Sequence, residues 1–346
     1  MAGIADVAEL AGVSKSTASR ALSGRGYVSD ETQTRVRDAA ERLGYVPSTT
    51  AVSLATGRTD TVGVIMPAVN RWFFGEVLEG IQTALVERGL DLALYNAKPG
   101  TPGRARIFDH YLARQRFDGV IAVGLEPADH EMERLHTIGR PIVTVVGSSP
   151  GASAIAIDDL YAARRATEHL LALGHRRIAF VGGAQELHWA HVDKLRLQGY
   201  QESMIDAGLE EYIRHIPAVL SLPGGYAASV DFLGDTRRRP TAIVGVCDEV
   251  AIGAIIAARR IGVRVPSDLS VVGIDDHEHA DMFSLTTLRQ SPRAQGYEAV
   301  QLLIAQMEDP GAPPRHIAAS SRLIVRNSTG PADRESSAIE AGTSLG

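Results

Sequence analysis

Between Ala8 and Gly26 the chain reads AELAGVSKSTASRALSGRG. From Ser14 onward this stretch carries Lys15, Arg20 and Arg25 and no acid, set among the hydroxyls of Ser14, Ser16, Thr17, Ser19 and Ser23. The whole chain has a formal net charge of −6, so the run is a local exception. Cationic groups beside short hydroxyl side chains suit phosphate oxygens and the donor and acceptor edges of bases. Other chemistry-bearing residues point nowhere as clear. GSSPG at 147–151 fits the G-x-S-x-G nucleophile elbow, but Pro150 lacks the N–H an oxyanion hole needs and no helix follows directly. His188 with His191, and His277 with His279, could be pictured as metal ligands, yet each pair lacks a third clear ligand. No phosphate loop and no G-x-G-x-x-G strand–helix turn occurs. We therefore expect no metal, no cofactor and no enzymatic activity.

The elements that must position the cations follow from spacing. Ile4, Val7, Ala8 and Ala11 make the stripe of a short amphipathic helix, which Gly12 stops. Ser14 can cap a second helix, whose Ala18, Ala21 and Leu22 face back toward the first. Two short helices joined by Ala-Gly-Val-Ser have the helix-turn-helix layout. The second then offers Lys15, Ser16, Thr17 and Arg20 outward near its N-terminus, the part of a recognition helix that meets base edges. A third helix starts near Asp30, with Gln33 at capping-box spacing, and runs to Leu43 with Val36, Ala39 and Ala40 on its apolar face.

The run IADVAELAGVSKSTASRALSGRGYVSDETQTRVRDAAERLGYVPS resembles, in register, the DNA-binding headpiece of the LacI family of bacterial transcription regulators. The resemblance implies that Lys15 and Ser16 choose the operator sequence, that Arg20 reads guanine, and that Tyr27 makes a further groove or phosphate contact. After Pro47, the threonine-rich segment STTAVSLATGRTD has poor intrinsic helicity and on composition reads equally well as a plain linker. By resemblance it is a hinge helix that folds on DNA and inserts Leu54 as a wedge into the minor groove. Val52 departs from the pattern, since many family members carry arginine there.

At 346 residues the chain suggests two or three domains. Cys247 is the only cysteine, which excludes an intrachain disulfide and fits a reducing compartment. No apolar run reads as a signal peptide or membrane span, so a cytoplasmic, nucleoid-associated protein is expected. Residues 1–60 balance seven Lys/Arg against seven Asp/Glu, so any contact with a polyanion must come from local placement.

From Thr61 onward, TVGVIMP, LDLALYNA, DGVIAVG, PIVTVVG, RRIAFVGG, TAIVGVCD and LSVVGIDD are strand-length apolar runs. They alternate with helix-like segments such as Phe74–Arg88, Ala162–Leu173 and Glu249–Ile261, the rhythm of a parallel sheet covered on both faces. LALGHRRIAFVGG, KLRLQGY, CDEVAIGA, VPSDLSVVGIDD and LTTLRQ resemble landmarks of the same family's effector domain, two lobes around a cleft. The expected architecture is an N-terminal all-α helix-turn-helix headpiece plus an α/β two-lobed periplasmic-binding-protein-like effector domain. Its expected parts are a headpiece at 1–46, a hinge or linker at 47–60, an effector and dimerisation domain at 61–330, and a disordered tail at 331–346. Within that domain, one lobe is expected from 61–158 with 291–319, the other from 159–290 with 320–330.

By the same resemblance Arg196 and Asp275 bind the effector, Cys247 stands where many family members have an effector-binding asparagine, and Asp248 lies beside it. Phe73 and Phe74, with Trp72, follow the first strand where a stacking side chain is placed. Bidentate polar groups and an apolar face suit a sugar or sugar phosphate. The thiol of Cys247 and the aliphatic Leu220, where an aromatic wall is common, are departures that blur the ligand's identity. A purine-like corepressor stacked on Phe74 remains an alternative, as does a solute-binding protein without a DNA role. The expected partners are operator DNA, a small-molecule effector and a second copy of the chain in a homodimer.

Overall fold

The computed structural model describes residues 2–23, 27–45, 57–114, 116–147, 151–183 and 191–332. Arg25, the segment 46–56 with Val52 and Leu54, residues 148–150 of GSSPG, His188, Trp189 and the tail beyond 332 lie outside the described residues. The chain divides into two units, Met1–Thr61 with Arg116–Asp118, and Val62–Gln115 with Gly119–Gly346.

The first unit opens with three helices, α1 (Ile4–Leu10), α2 (Lys15–Ser23) and α3 (Asp30–Arg42). Gly12 takes the left-handed conformation, φ +66°, that lets the chain turn after α1. Ser14 Oγ accepts the Thr17 N–H at 3.1 Å and so caps α2. The cap of α3 falls one residue earlier than the Asp30–Gln33 spacing suggests. Ser29 Oγ accepts the Thr32 N–H at 3.4 Å, and Asp30 enters the first turn, where its charge meets the helix dipole. Val7, Ala8, Ala11, Ala18, Ala21, Val36, Ala39 and Ala40 form the buried core. These small residues let three short helices approach closely.

The second unit holds two six-stranded sheets. The first has the order β11-β5-β4-β3-β1-β2, built from β1 (Thr61–Met66), β2 (Asp91–Asn96), β3 (Gly119–Val123), β4 (Ile142–Val145), β5 (Ser153–Ala156) and β11 (His316–Ala318). The second has the order β12-β10-β9-β8-β6-β7, from β6 (Ile178–Val181), β7 (Arg214–Ile216), β8 (Ala242–Gly245), β9 (Ser270–Asp275), β10 (Thr286–Arg289) and β12 (Arg322–Ile324). Strand pairs run parallel, as with Val62 opposite Gly119 and Ile243 opposite Val271, while β12 runs antiparallel to β10. The chain passes from the first sheet to the second after β5, and β11 and β12 lie in different sheets.

Each sheet is covered by helices and has its own buried apolar core. Over the first, α4 (Trp72–Glu87) packs on the later helix Pro292–Glu308, and a Cβ on Gly80 would stand 1.9 Å from the Arg293 carbonyl. Only glycine permits that crossing. Next come α5 (Pro102–Arg106), α6 (Asp129–Thr137), α7 (Asp159–Ala172), α8 (His191–Asp206), α9 (Leu222–Gly234) and α10 (Asp248–Arg260), with Pro292–Glu308 as α11. Among the described residues no helix is long and apolar enough to cross a membrane.

Candidate DNA-reading surface and effector cleft

On α2, Lys15, Ser16 and Arg20 are exposed, and none of the described ion pairs engages Lys15 or Arg20. Arg20 Nε donates to the Ser16 carbonyl at 3.3 Å, which aims the guanidinium along the helix face. Thr17 is half-buried, its hydroxyl 2.8 Å from that of Ser14, so it supports the cap as well as the surface. Tyr27 is 95% exposed. Leu54 lies outside the described residues. The four described polar side chains and Tyr27 therefore sit where a duplex could meet them. Arg20→Ala should weaken binding to the cognate operator by about 1–3 kcal/mol and relax base preference at one position. Gel-shift titration on cognate and random DNA checks this; equal weakening on both would make Arg20 a phosphate contact only.

In parallel sheets, ligands bind beyond the carboxyl ends of the strands. In the second sheet, Cys247 follows β8, Asp275 ends β9, and Gln290 follows β10. Asp275 has φ +131°, a conformation disfavoured for any residue with a side chain, and such strain clusters at functional sites. Arg196, on α8, is buried among them. Its Nε donates to Asp159 at 2.8 Å, Nη1 donates to the Val246 carbonyl at 2.6 Å, and Nη2 lies 3.8 Å from Asp275. Burial lowers the pKa of this guanidinium, but Asp159 and Asp275 more than reverse that, so the net shift is upward and Arg196 stays a cation. Asp275 accepts from Gln290 Nε2 at 2.7 Å, and Gln290 in turn accepts from Gln295 at 2.9 Å. Burial pushes the Asp275 carboxyl up to about 6 against the pull of Arg196.

The first sheet contributes the opposite wall. Arg71, after β1, donates from Nη2 to Glu249 at 2.6 Å and from Nε to the same oxygen at 2.8 Å, with Cys247 Sγ 4.0 Å away. Trp72 lies 4.7 Å, ring to ring, from His277. Phe73 and Phe74 meet edge to face at 5.7 Å and pack on the first lobe's core, with Phe74 closing over Gly124. Leu220 packs on the core of the second lobe. Cys247 is buried, and burial pushes its thiol up to about 12, so it offers a neutral, weakly bonding surface.

Asp248, next to Cys247 in the chain, bonds within the second lobe. It is fully buried; Thr287 Oγ1 donates to its Oδ1 at 2.6 Å and the His277 N–H to its Oδ2 at 2.8 Å. Both oxygens are used within the second lobe, where they position the segment after Asp275. Burial, with Asp275 adding to it, pushes this carboxyl up to about 8. The folded state therefore holds its proton where the unfolded chain, titrating near about 3.9, has lost it. Stability falls as pH rises through that window. His169, His175 and His277 are shifted down, chiefly by burial, so their opposite contribution fades once pH passes the unfolded value of about 6.5. Unfolding free energy should thus decline between pH 7 and 8.5, by at most about 1.4 kcal/mol per unit. Urea titrations at the two pH values check this; a rising profile would contradict it.

Arg71, Asp159, Asp193, Glu249 and Gln290 escaped the sequence reading. Arg71 sits beside the aromatic trio, yet nothing in the sequence pairs it with a residue 178 positions away. His277, Glu278 and His279 bring one ligand atom each within 4.8 Å of one another, so Glu278 supplies the third group that the histidine pair lacked. However, His277 Nδ1 already accepts the His279 N–H at 3.0 Å. A depression of about 400 Å³ lined by Arg177, Arg214, Arg237 and Arg238 lies at the amino ends of β6–β8, away from the cleft.

A three-helix headpiece with a basic second helix, followed by two parallel-sheet lobes with a charged cluster at their strand ends, defines a class of ligand-binding DNA regulators. The comparisons agree. Residues 3–48 match the family described as bacterial regulatory proteins, lacI family, and residues 167–329 match the periplasmic binding protein-like domain. The chain is 34% identical over 338 residues to the HTH-type transcriptional regulator CelR of Thermobifida fusca, covering 93% of this chain and 96% of that protein. It is 30% identical to the HTH-type transcriptional repressor PurR of Vibrio vulnificus, covering 94% and 98%. A solved lac repressor dimer bound to operator and an anti-inducer has TM-score 0.83 at 26% identity, covering 95% of this chain and 99% of that one. The chain belongs to the LacI family and is a helix-turn-helix transcriptional regulator.

Proposed function

We infer that this regulator is a repressor that binds a pseudo-palindromic operator as a homodimer and is controlled by a carbohydrate held between its lobes. Lys15, Ser16, Arg20 and Tyr27 read or grip the operator, Thr17 supports them, and Leu54 wedges the minor groove. Arg196 and Asp275 bond ligand hydroxyls, Phe73 and Phe74 supply the apolar face, and Cys247 fills the wall. Asp248 positions that wall from behind. The protein acts in the cytoplasm, without a cofactor and without catalysis. The observation that carries the effector half is the buried Arg196–Asp159–Asp275 cluster at the strand ends, a polar group that globular packing alone would not place there. A CelR structure is a complex with cellobiose (TM-score 0.67, 30% identity, covering 95% of this chain and 100% of that one), which favours a sugar over a purine. A thermal-shift screen of the full chain with sugars and nucleobases tests this, because a ligand bound only by the native state raises the melting temperature. Stabilisation by hypoxanthine or guanine and by no sugar would replace the carbohydrate with a purine corepressor.

A further inference from the structure

Asp193 lies in the first turn of α8, one turn before Arg196. Its residue surface is 5% exposed, yet among the described residues no donor forms a hydrogen bond to its carboxylate. The charges around it come from both lobes: Arg196 and Asp159 on one side, Arg71 and Glu126 on the other. A buried carboxylate that accepts nothing is costly unless something else supplies the donors. Its place among charges of both lobes puts it within reach of a ligand held there.

The charge balance of the cleft restricts which ligand. Among the described residues, Asp159, Asp193, Asp275 and Glu249 face Arg71 and Arg196, with His191 also near Asp159. Both cations are already committed. Arg196 donates to Asp159 and the Val246 carbonyl, and Arg71 donates twice to Glu249. A phosphate ester, carrying about −1.5 to −2 at neutral pH, would enter a site whose described residues carry excess negative charge and no uncommitted arginine. A hydroxyl can instead donate to Asp193 and Asp275, and charge-assisted bonds of this kind are the stronger ones.

We propose that the cleft accepts an uncharged carbohydrate and rejects its phosphate ester, and that Asp193 is the residue that sets this choice. The proposal rests on the carbohydrate reading and narrows it. Specificity here comes from a repulsive element as much as from attraction. Exchanging Asp193 for asparagine keeps the shape and removes the charge, so the variant should lose discrimination more than it loses fold.

Calorimetric titration of the full chain decides it, with glucose, ribose and cellobiose each set beside glucose 6-phosphate, ribose 5-phosphate and cellobiose 6′-phosphate. For whichever sugar binds, the uncharged form should bind at least about tenfold tighter than its ester, and Asp193→Asn should shrink that ratio to a few-fold. Asp193→Ser serves as a second variant, and far-UV circular dichroism keeps any unfolded sample out of the comparison. An ester that binds as tightly as its parent sugar overturns the selectivity while leaving the carbohydrate reading intact. A ratio unchanged in both variants overturns the role of Asp193. Binding by none of the six compounds removes the carbohydrate reading and this inference together.

Discussion

Arg196→Met should destabilise the second lobe by about 3–5 kcal/mol and abolish effector binding, because it breaks a buried ion pair by removing one partner. Asp159, 4% exposed and already shifted upward by burial, would be left without its cation at 2.8 Å, at the cost of an unpaired charge or of taking up a proton, and the Val246 carbonyl would lose its donor at 2.6 Å. Most of the cost is therefore the penalty of an orphaned charge rather than the worth of the bond. That distinction makes a second variant informative. Arg196→Met combined with Asp159→Asn removes both charges, and should recover much of the stability while binding no effector. Chemical denaturation of the three proteins, with ligand calorimetry on those that fold, checks both parts. A loss under about 1 kcal/mol for the single variant would mean that water already solvates Asp159, and the cluster would then not be the dry site its burial indicates.

Much of this architecture was legible in the sequence because it is written in local periodicity. Ile4, Val7 and Ala8 lie in α1 with Ala11 as its C-cap, and each of the seven apolar runs from TVGVIMP to LSVVGIDD contains a strand. Strands β5 and β10, of four residues each, fell outside those runs, and strands β7, β11 and β12 were not legible either. Each of these last three spans three residues, and none of the residues in β11 or β12 is fully buried, so no apolar run marks them. Pairing with a buried neighbour makes them strands, as when Leu323 lies opposite Leu288.

For the site, the limit is different. Arg196 and Asp275 stand in motifs, and a motif can be matched. Asp159, Arg71 and Glu249 acquire meaning only through distances that the sheets impose on residues far apart in the chain. Asp248 is a case of the same kind: its sequence position next to Cys247 suggests the cleft, while the first turn of α10 directs its carboxylate toward Thr287. Spacing along the chain cannot tell a side chain in a wall from one behind it.

Glu249→Gln should weaken effector binding about fivefold to tenfold, through loss of the Arg71 contact that joins the two lobes. The pair is mostly buried, with side chains 24% and 20% exposed, and it stands with the Trp72–His277 stack as a contact made only when the lobes are close. A ligand that needs both walls must hold them together, and the bridge does part of that beforehand. The same closure is the step through which effector and operator can affect one another. Within the first unit, Asp118 accepts the Thr59 and Asp60 N–H groups at 2.9 Å and donates its own N–H to the Thr61 carbonyl. Couplings of this kind are typically about 1–3 kcal/mol, or about 5–150-fold in affinity, and they are reciprocal. Effector titrations with and without saturating operator should differ by that factor, and operator titrations with and without saturating effector by the same one. Glu249→Gln should shift both effector isotherms, since the latch belongs to the lobes and not to the DNA-bound state alone. Identical effector affinities in the free and operator-bound protein, for a ligand that Arg196→Met excludes, would mean that the cleft does not control the headpiece.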